Sequence, residues 1–297
     1  MNDTTHVPVL VPEVLSGLDA GVAGVYLDGT LGTGGHAAAI LLAHPRSTLI
    51  GLEVDALSLA RAQERLSAFE GRLTLYHSDY RNIPDLDIPW RDVRGVLLDL
   101  GLSSFQMDAP ERGFSFNLEG PLDMRFDLRN KTTAHKVLHK SSEAHLAQVF
   151  LEYGELRQAR LLARRIISAR KGTGLETTTQ LRRLVEEVCR WRPQRGKTHP
   201  AAKVFQALRI EVNGELEGLD ALLDGVLCLL RPGARLAAIA FHSLEDRIVK
   251  RAFLRLAGGA AEPVIRILTK KPVIPSEAET AANPRSHSAK LRIAERV

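Results

Sequence analysis

Apolar positions in the first hundred residues fall into two alternating rhythms. Short, nearly unbroken apolar runs at 25–27, 48–52, 73–77 and 93–98 have the length of buried strands. Between them lie helical patterns, a small-residue run at 37–43 and an amphipathic stretch at 56–69. An extended lead-in at 6–10 and a short helix at 12–18 come first. Strand alternating with helix predicts a parallel, doubly wound sheet. After Asp99 the alternation stops for about a hundred residues, too many for a structureless loop. Residues 101–106 read as a loop, and 133–190 as several helices broken at Gly154 and at 172–174. Trp191, Arg192 and Pro193 interrupt the pattern, which resumes at 199–212. The first rhythm then returns: a helix at 215–230, a strand at 235–241, a helix at 244–256, and strands at 264–268 and 290–295. The pattern predicts an α/β chain: a Rossmann-like doubly wound core of residues 1–108 and 210–297, with an all-helical domain, 109–209, inserted in it.

The stretch LDGTLGTGGH at 27–36 joins the first strand to its helix. Such a glycine turn lets a nucleotide-like ligand approach the backbone. Gly32-x-Gly34-x-x-Ala37 also fits the dinucleotide fingerprint, but Asp28, just before the glycines, would repel a pyrophosphate. It would attract a ligand bearing an ammonium and a sulfonium, and S-adenosylmethionine is such a ligand. Acids close four successive strands, Asp28, Glu53, Asp79 and Asp99. Ligands of doubly wound sheets bind at that end of the strands. Asp28 suits the methionine ammonium, Glu53 the ribose hydroxyls and Asp79 the adenine amino group, with Tyr80 packing on the ring. Asp99 lies near the methionine or the reacting centre. Any one acid could merely cap a helix; four in register with strand ends favour the cofactor. A nicotinamide-dependent dehydrogenase is disfavoured by the same acids.

Among the 297 residues no run of 18 apolar residues occurs, and no basic segment with an apolar core opens the chain. A cytoplasmic protein without a membrane span is expected. The two cysteines, Cys189 and Cys228, are too far apart for a zinc cluster and read as buried free thiols; no metal is expected. The net charge of +5 is uneven: residues 155–209 hold 14 Lys or Arg against 4 Asp or Glu. That stretch reads as a module for a polyanion, with Arg164 and Arg165 as phosphate contacts, although part of such charge is ordinarily a solvated helix face.

Several further motifs stand in order along the chain: LLDLGLSS at 97–104, ERGFSF at 111–116, GPLDMR at 120–125, HPA at 199–201 with FQA at 205–207, FHSLEDRIVK at 241–250 and NPR at 283–285. With the lead-in at 6–10 and the glycine loop they resemble the RsmH (MraW) family, bacterial small-subunit rRNA (cytosine-N4)-methyltransferases that use S-adenosylmethionine. The resemblance spans nearly the whole chain. It implies a methyltransferase sheet with an inserted helical domain, and a cytidine in the decoding region of 16S rRNA, within the small ribosomal subunit, as substrate. It also implies cofactor contacts at Gly34, Gly35, His36, Tyr80, Asp99 and Gln106, and at Glu53, where the family usually has Asp. Phe105 replaces a frequent proline of the family.

Cytosine N4 is a poor nucleophile because its lone pair is delocalised. Acceptors for the amino hydrogens would localise it. Candidates are Asp99 and the turn after it, through backbone carbonyls with Ser103 or Ser104, although both serines could simply shape the turn. His242, with Ser243, Glu245 and Asp246, ends another core strand and should face the same crevice, or could form a plain helix N-terminus. No Gly-x-Ser-x-Gly elbow supports a hydrolase. His6 could face the ligand. Phe114 and Phe116 could stack on a displaced base or pack between the domains. A non-catalytic rRNA-binding or assembly factor that keeps the fold is the alternative.

Overall fold

The computed structural model describes residues 8–172, 174–194, 198–258 and 262–297. His6, Thr173, Arg195 and Lys197 lie outside them. In chain order the elements are α1 (Val11–Leu18), β1 (Val25–Asp28), α2 (Gly35–Ala43), β2 (Thr48–Glu53), α3 (Ala56–Arg65), β3 (Leu73–His77) and β4 (Val93–Asp99). Helices α4 (Ser104–Asp108), α5 (Ala134–Lys140), α6 (Glu143–Glu152), α7 (Ala159–Ala169), α8 (Thr178–Cys189) and α9 (Pro200–Asn213) follow. Last come α10 (Leu219–Leu229), β5 (Arg235–Ala240), α11 (Ser243–Ala257), β6 (Ile265–Ile267), α12 (Glu277–Ala282) and β7 (Lys290–Arg296). Two compact units result, one of residues 1–101 and 216–297, the other of residues 102–215.

The first unit holds a seven-stranded sheet in the order β3-β2-β1-β4-β5-β7-β6. Strands β1 to β5 pair in parallel. Strand β7 runs antiparallel to both β5 and β6, so the parallel sheet expected from the alternation carries one reversed strand. Strands β2, β4 and β5 are buried along nearly their whole length, as expected where helices cover both faces. Strand order reverses between β1 and β4, so the carboxyl ends of these two strands flank the topological switch point. Asp28 pairs in register with Leu97, which sets Asp99 two residues further along the neighbouring strand.

Several elements differ from the periodicity. The helix expected over 56–69 ends at Arg65 and continues as a 3-10 turn, Ser67–Arg72, kinked at Phe69. The helix expected from 215 starts at Leu219, because Gly218 takes φ +70° as its N-cap. The expected loop at 101–106 contains the start of α4. The cysteines are free but not buried as expected: Cys189 is half-buried and Cys228 exposed, on the outer side of α10 beside the buried Val226 and Leu227. Among the described residues no helix is long and apolar enough to cross a membrane.

The second unit is built on α4 to α9, around a core that includes Leu138, Leu146, Phe150, Leu162, Ile166, Leu181, Val204 and Leu208. Phe114 and Phe116 belong to this packing. Phe114 stacks on Phe126 with ring centroids 5.6 Å apart, and Phe116 lies between His199 and Phe205 at 5.2 Å and 5.8 Å. Both rings pack within the helical unit. Arg164 and Arg165 are exposed and pair with Glu143 and Glu187 at the surface. Arg157, Arg160 and Lys203 are exposed and form no ion pair among the described residues.

Candidate active site

An apolar strand that ends in an acid delivers the carboxylate to the edge of a buried sheet. Asp28 closes β1 and is 1% exposed. The chain turns at once: the Thr30 N–H donates to Asp28 Oδ1 at 3.1 Å, an Asx-type turn. Thr30 Oγ1 then accepts from the Asp99 N–H at 2.6 Å, fastening the end of β4 to the turn after β1. Burial lifts Asp28 to a pKa of about 6, against the opposing pull of His36 and the Thr30 N–H.

Asp99 is lifted further, to about 7, first by burial and then by the charge of Glu245. One of its oxygens, Oδ2, lies 3.4 Å from His36 Nδ1. The other, Oδ1, is buried and has no hydrogen-bond partner. His36 is buried in the first turn of α2, and its Nε2 is 2.8 Å from the Val9 carbonyl. A carbonyl only accepts, so Nε2 carries the hydrogen. Burial lowers the pKa of His36, against the pull of the Asp28 charge.

Glu53, at the end of β2, clamps the glycine turn. Its Oε2 accepts from the Gly32 N–H at 2.7 Å and its Oε1 from the Asp55 N–H at 2.8 Å. Even so, burial raises it to about 7. Each carboxylate oxygen retains a second lone pair, so ribose hydroxyls can still be accepted. Gly34 takes φ +80°, and a Cβ there would lie 3.0 Å from Leu66. A Cβ on Gly35 would meet Pro8 at 3.0 Å. Gly34 thus favours glycine through its backbone angle, and both positions leave little room for a side chain.

Asp79 is held by a close neighbour. Its carboxylate caps the 3-10 turn Tyr80–Asp85 through the Arg81 N–H and is gripped by the Arg81 guanidinium at 2.9 Å and 2.6 Å. Capping and ion pairing account for this acid, and its Oδ2 keeps a second lone pair. Tyr80 begins the turn, half-buried, beside Gly29 and against the core. His242 is the N-cap of α11: its Nδ1 accepts from the Glu245 N–H at 3.3 Å, while Glu245 Oε2 accepts from the Phe241 N–H at 2.9 Å. The plain helix terminus is thus the role the structure assigns to His242. The cap also buries Glu245, whose charge is felt at Asp99.

The sheet unit therefore brings Asp28, Gly34, Gly35, His36, Glu53, Tyr80, Asp99 and His242 to the carboxyl ends of its strands. Ser103, Ser104 and Gln106 belong to the helical unit. Ser103 and Gln106 form a capping box for α4: Ser103 Oγ accepts from the Gln106 N–H at 3.3 Å and Gln106 Oε1 from the Ser103 N–H at 3.0 Å. Ser103 thus shapes the turn, and Ser104 is the first residue of the helix. One residue escaped the sequence reading. Thr30 joins Asp28 to Asp99, and the Asp-Gly-Thr spacing was the signal for its turn. Glu245, named with His242 as facing the crevice, is a buried acid whose charge acts on Asp99.

Three acids with raised pKa values, Asp28 and Glu53 buried and Asp99 partly buried with an orphaned oxygen, form a site short of positive charge. Such a site fits the cation-bearing, hydroxyl-rich ligand inferred from Asp28, and its chemistry excludes a pyrophosphate.

The chain matches the MraW methylase family over residues 3–297. It is 44% identical to the protein named ribosomal RNA small subunit methyltransferase H of Nitratidesulfovibrio vulgaris (strain DP4), over 98% of this chain and 95% of that one. A protein of the same name from Trichodesmium erythraeum (strain IMS101) is 44% identical, with 98% and 99% covered. The Thermomicrobium roseum protein of that name is 45% identical, with 99% and 94% covered.

Proposed function

The chain belongs to the MraW methylase family, and from that premise we propose that it is the rRNA methyltransferase that modifies N4 of a cytidine in the decoding region of 16S rRNA, in the small ribosomal subunit in the cytoplasm. S-adenosylmethionine is the cofactor, and when bound it supplies an electrophilic methyl group on a sulfonium. The observation that carries the reading is Asp99: a partly buried carboxyl at the switch point whose buried Oδ1 has no partner.

Asp28 faces the methionine ammonium, and Glu53 accepts from the ribose while keeping Gly32 in place. Gly34, Gly35 and His36 let the backbone close on the ligand, Tyr80 packs on the adenine, and Gln106 completes the cofactor contacts. Methylation of an amino nitrogen must release a proton. A carboxyl with a pKa of about 7 is matched to hold it at neutral pH. Asp99 is accordingly assigned the acceptor role, with backbone carbonyls of the turn and Ser104 orienting the amino group. His242 acts through Glu245, whose charge keeps Asp99 basic enough to accept. The helical unit supplies substrate recognition through cations such as Arg157, Arg160 and Lys203. The relatives named as small-subunit methyltransferases support the rRNA substrate.

The experiment transfers labelled methyl to small subunits lacking the modification, with nucleosides then digested and separated. Wild type yields N4-methylcytidine, and Asp99→Asn, which removes the charge and replaces an acceptor oxygen by a donor, loses turnover and binds cofactor more weakly. A ring-carbon or ribose product refutes the reading. Absence of transfer by wild type, with binding to the subunit retained, identifies a non-catalytic assembly factor instead.

A further inference from the structure

The amino-terminal edge of the sheet, opposite the acids, carries a cavity of its own, of about 460 Å³. Four arginines line it, and all belong to the first unit. Arg46 comes from the loop between α2 and β2, Arg91 from the segment before β4, Arg94 from β4 and Arg231 from the turn between α10 and β5. Val25, at the start of β1, also lines the cavity, and Asp28 lies three residues on, about 10 Å further along the strand. Cofactors of doubly wound sheets bind at the other end, so these arginines are not part of the cofactor site. We propose that this cavity binds phosphate groups.

Three observations separate the cluster from ordinary surface charge. First, none of the four guanidiniums forms an ion pair among the described residues. Elsewhere in the same unit Arg81, Arg235, Arg255, Arg266 and Arg292 each pair with an acid. Gathering unpaired cations around one concavity costs electrostatic energy that an anion recovers. Second, Arg231 Nε is inaccessible to solvent and makes no hydrogen bond. A buried N–H without an acceptor is costly, and a phosphate oxygen is the acceptor that a guanidinium fork fits best. Third, two of the arginines stand on firm supports. Arg94 lies across Gly24, where a Cβ would fall 2.3 Å from Arg94 Cδ, so a side chain there would displace it. The loop that carries Arg46 is drawn onto Arg72, whose Nη1 lies within 3.2 Å of the carbonyls of Leu41, His44, Pro45 and Ser47. Supports of this kind reduce the ordering that binding would otherwise require.

The lining selects the class of anion. A guanidinium offers parallel N–H donors in a planar fork that matches phosphate, and several around one concavity suit a group with several charged oxygens better than a lone carboxylate. The Thr48 hydroxyl adds a neutral donor. Asp92 offsets one of the four charges, and the excess stays cationic. No aromatic ring stands among the described lining residues, so nothing there stacks on a base; the charge reads phosphate and not sequence. Two sources carry that group, the backbone of an RNA strand and a small phosphorylated molecule, and the chemistry at the cavity is the same for both. The inference rests on charge and shape and holds whatever the chain methylates.

The test uses the full chain without cofactor. Calorimetry follows the binding of inorganic pyrophosphate, and fluorescence anisotropy that of a labelled oligouridylate over a range of salt. Arg46→Gln with Arg91→Gln removes two exposed charges from the lining, and Lys270→Gln with Lys271→Gln removes two exposed charges elsewhere on the same unit. Both double variants should keep the wild-type melting temperature and S-adenosylmethionine affinity. The arginine variant should bind at least one probe about tenfold more weakly, while the lysine variant matches wild type. Asp92→Asn, which removes the one opposing charge, should bind the same probe more tightly, a gain that misfolding cannot produce. Loss for pyrophosphate alone assigns a small phosphorylated ligand. Loss for the oligonucleotide, with its salt slope lowered by about 1.4 log–log units for the two charges removed, assigns an RNA backbone. An arginine variant that binds both probes as tightly as wild type, or no more weakly than the lysine variant does, overturns the proposal.

Discussion

If the acids at the strand ends receive a doubly cationic ligand, cofactor affinity must fall as pH falls, by an amount the raised pKa values fix. In the ligand-free protein Asp28 titrates at about 6 and Asp99 at about 7. At pH 7 Asp99 is therefore about half protonated and Asp28 about one-tenth. An ammonium and a sulfonium restore both to the ionised form, so binding must strip whatever protons they hold. Between pH 7 and pH 5.5 the factor for Asp99 grows about 16-fold and that for Asp28 about fourfold, together about 60-fold in dissociation constant, or about 2.4 kcal/mol. An α-amino group stays protonated throughout this window, with a pKa of about 7.7–8.0, so the ligand's own charge does not confuse the result. Calorimetry in buffers of different ionisation enthalpy measures affinity and proton release together. Release of about half a proton or more at pH 7, rising toward pH 6, is expected. An affinity flat from pH 5.5 to pH 7 with no proton release would refute the assignment of these acids to the cationic ligand.

The same raised values predict a trade between stability and binding. An acid whose folded pKa lies above its ordinary value destabilises the fold when ionised, and the penalty disappears as pH falls through the folded value toward the unfolded one. For Asp28, raised from 3.8 to about 6, the penalty at pH 8 is about 3 kcal/mol at most. Asp28→Asn should therefore raise the melting temperature of the cofactor-free protein at pH 8, lose that advantage below pH 4, and weaken cofactor binding; equal melting temperatures at pH 8 would contradict it. In the helical unit, replacing Arg157, Arg160 and Lys203 together should lower the salt dependence of small-subunit binding by about one log–log unit for each phosphate no longer neutralised and leave cofactor affinity unchanged. A slope equal to wild type would place the rRNA-binding face elsewhere.

The acids were legible because each ends an apolar run, and a parallel sheet turns that local feature into a shared position at one edge. What each acid does there was not legible, because its partners come from other segments. Asp79 matched the pattern as well as Asp99 did, yet a guanidinium two residues on, at Arg81, occupies it. Asp99 has no such neighbour; its backbone is held by Thr30, 69 residues earlier, and its charge is opposed by Glu245 from the far side of the insert. The reversed strand β7 was hidden for the same reason, since alternation of strand with helix says nothing about the direction in which a last strand returns. Helix ends were misjudged where one residue overrode a good period, as Gly218 does before α10 and Phe69 after α3. Asp28 shows how the two levels meet. Its place before the glycines selects a cation over a pyrophosphate from sequence alone. Its near-complete burial, which only the folded sheet imposes, makes that selection costly enough to be measured as pH dependence.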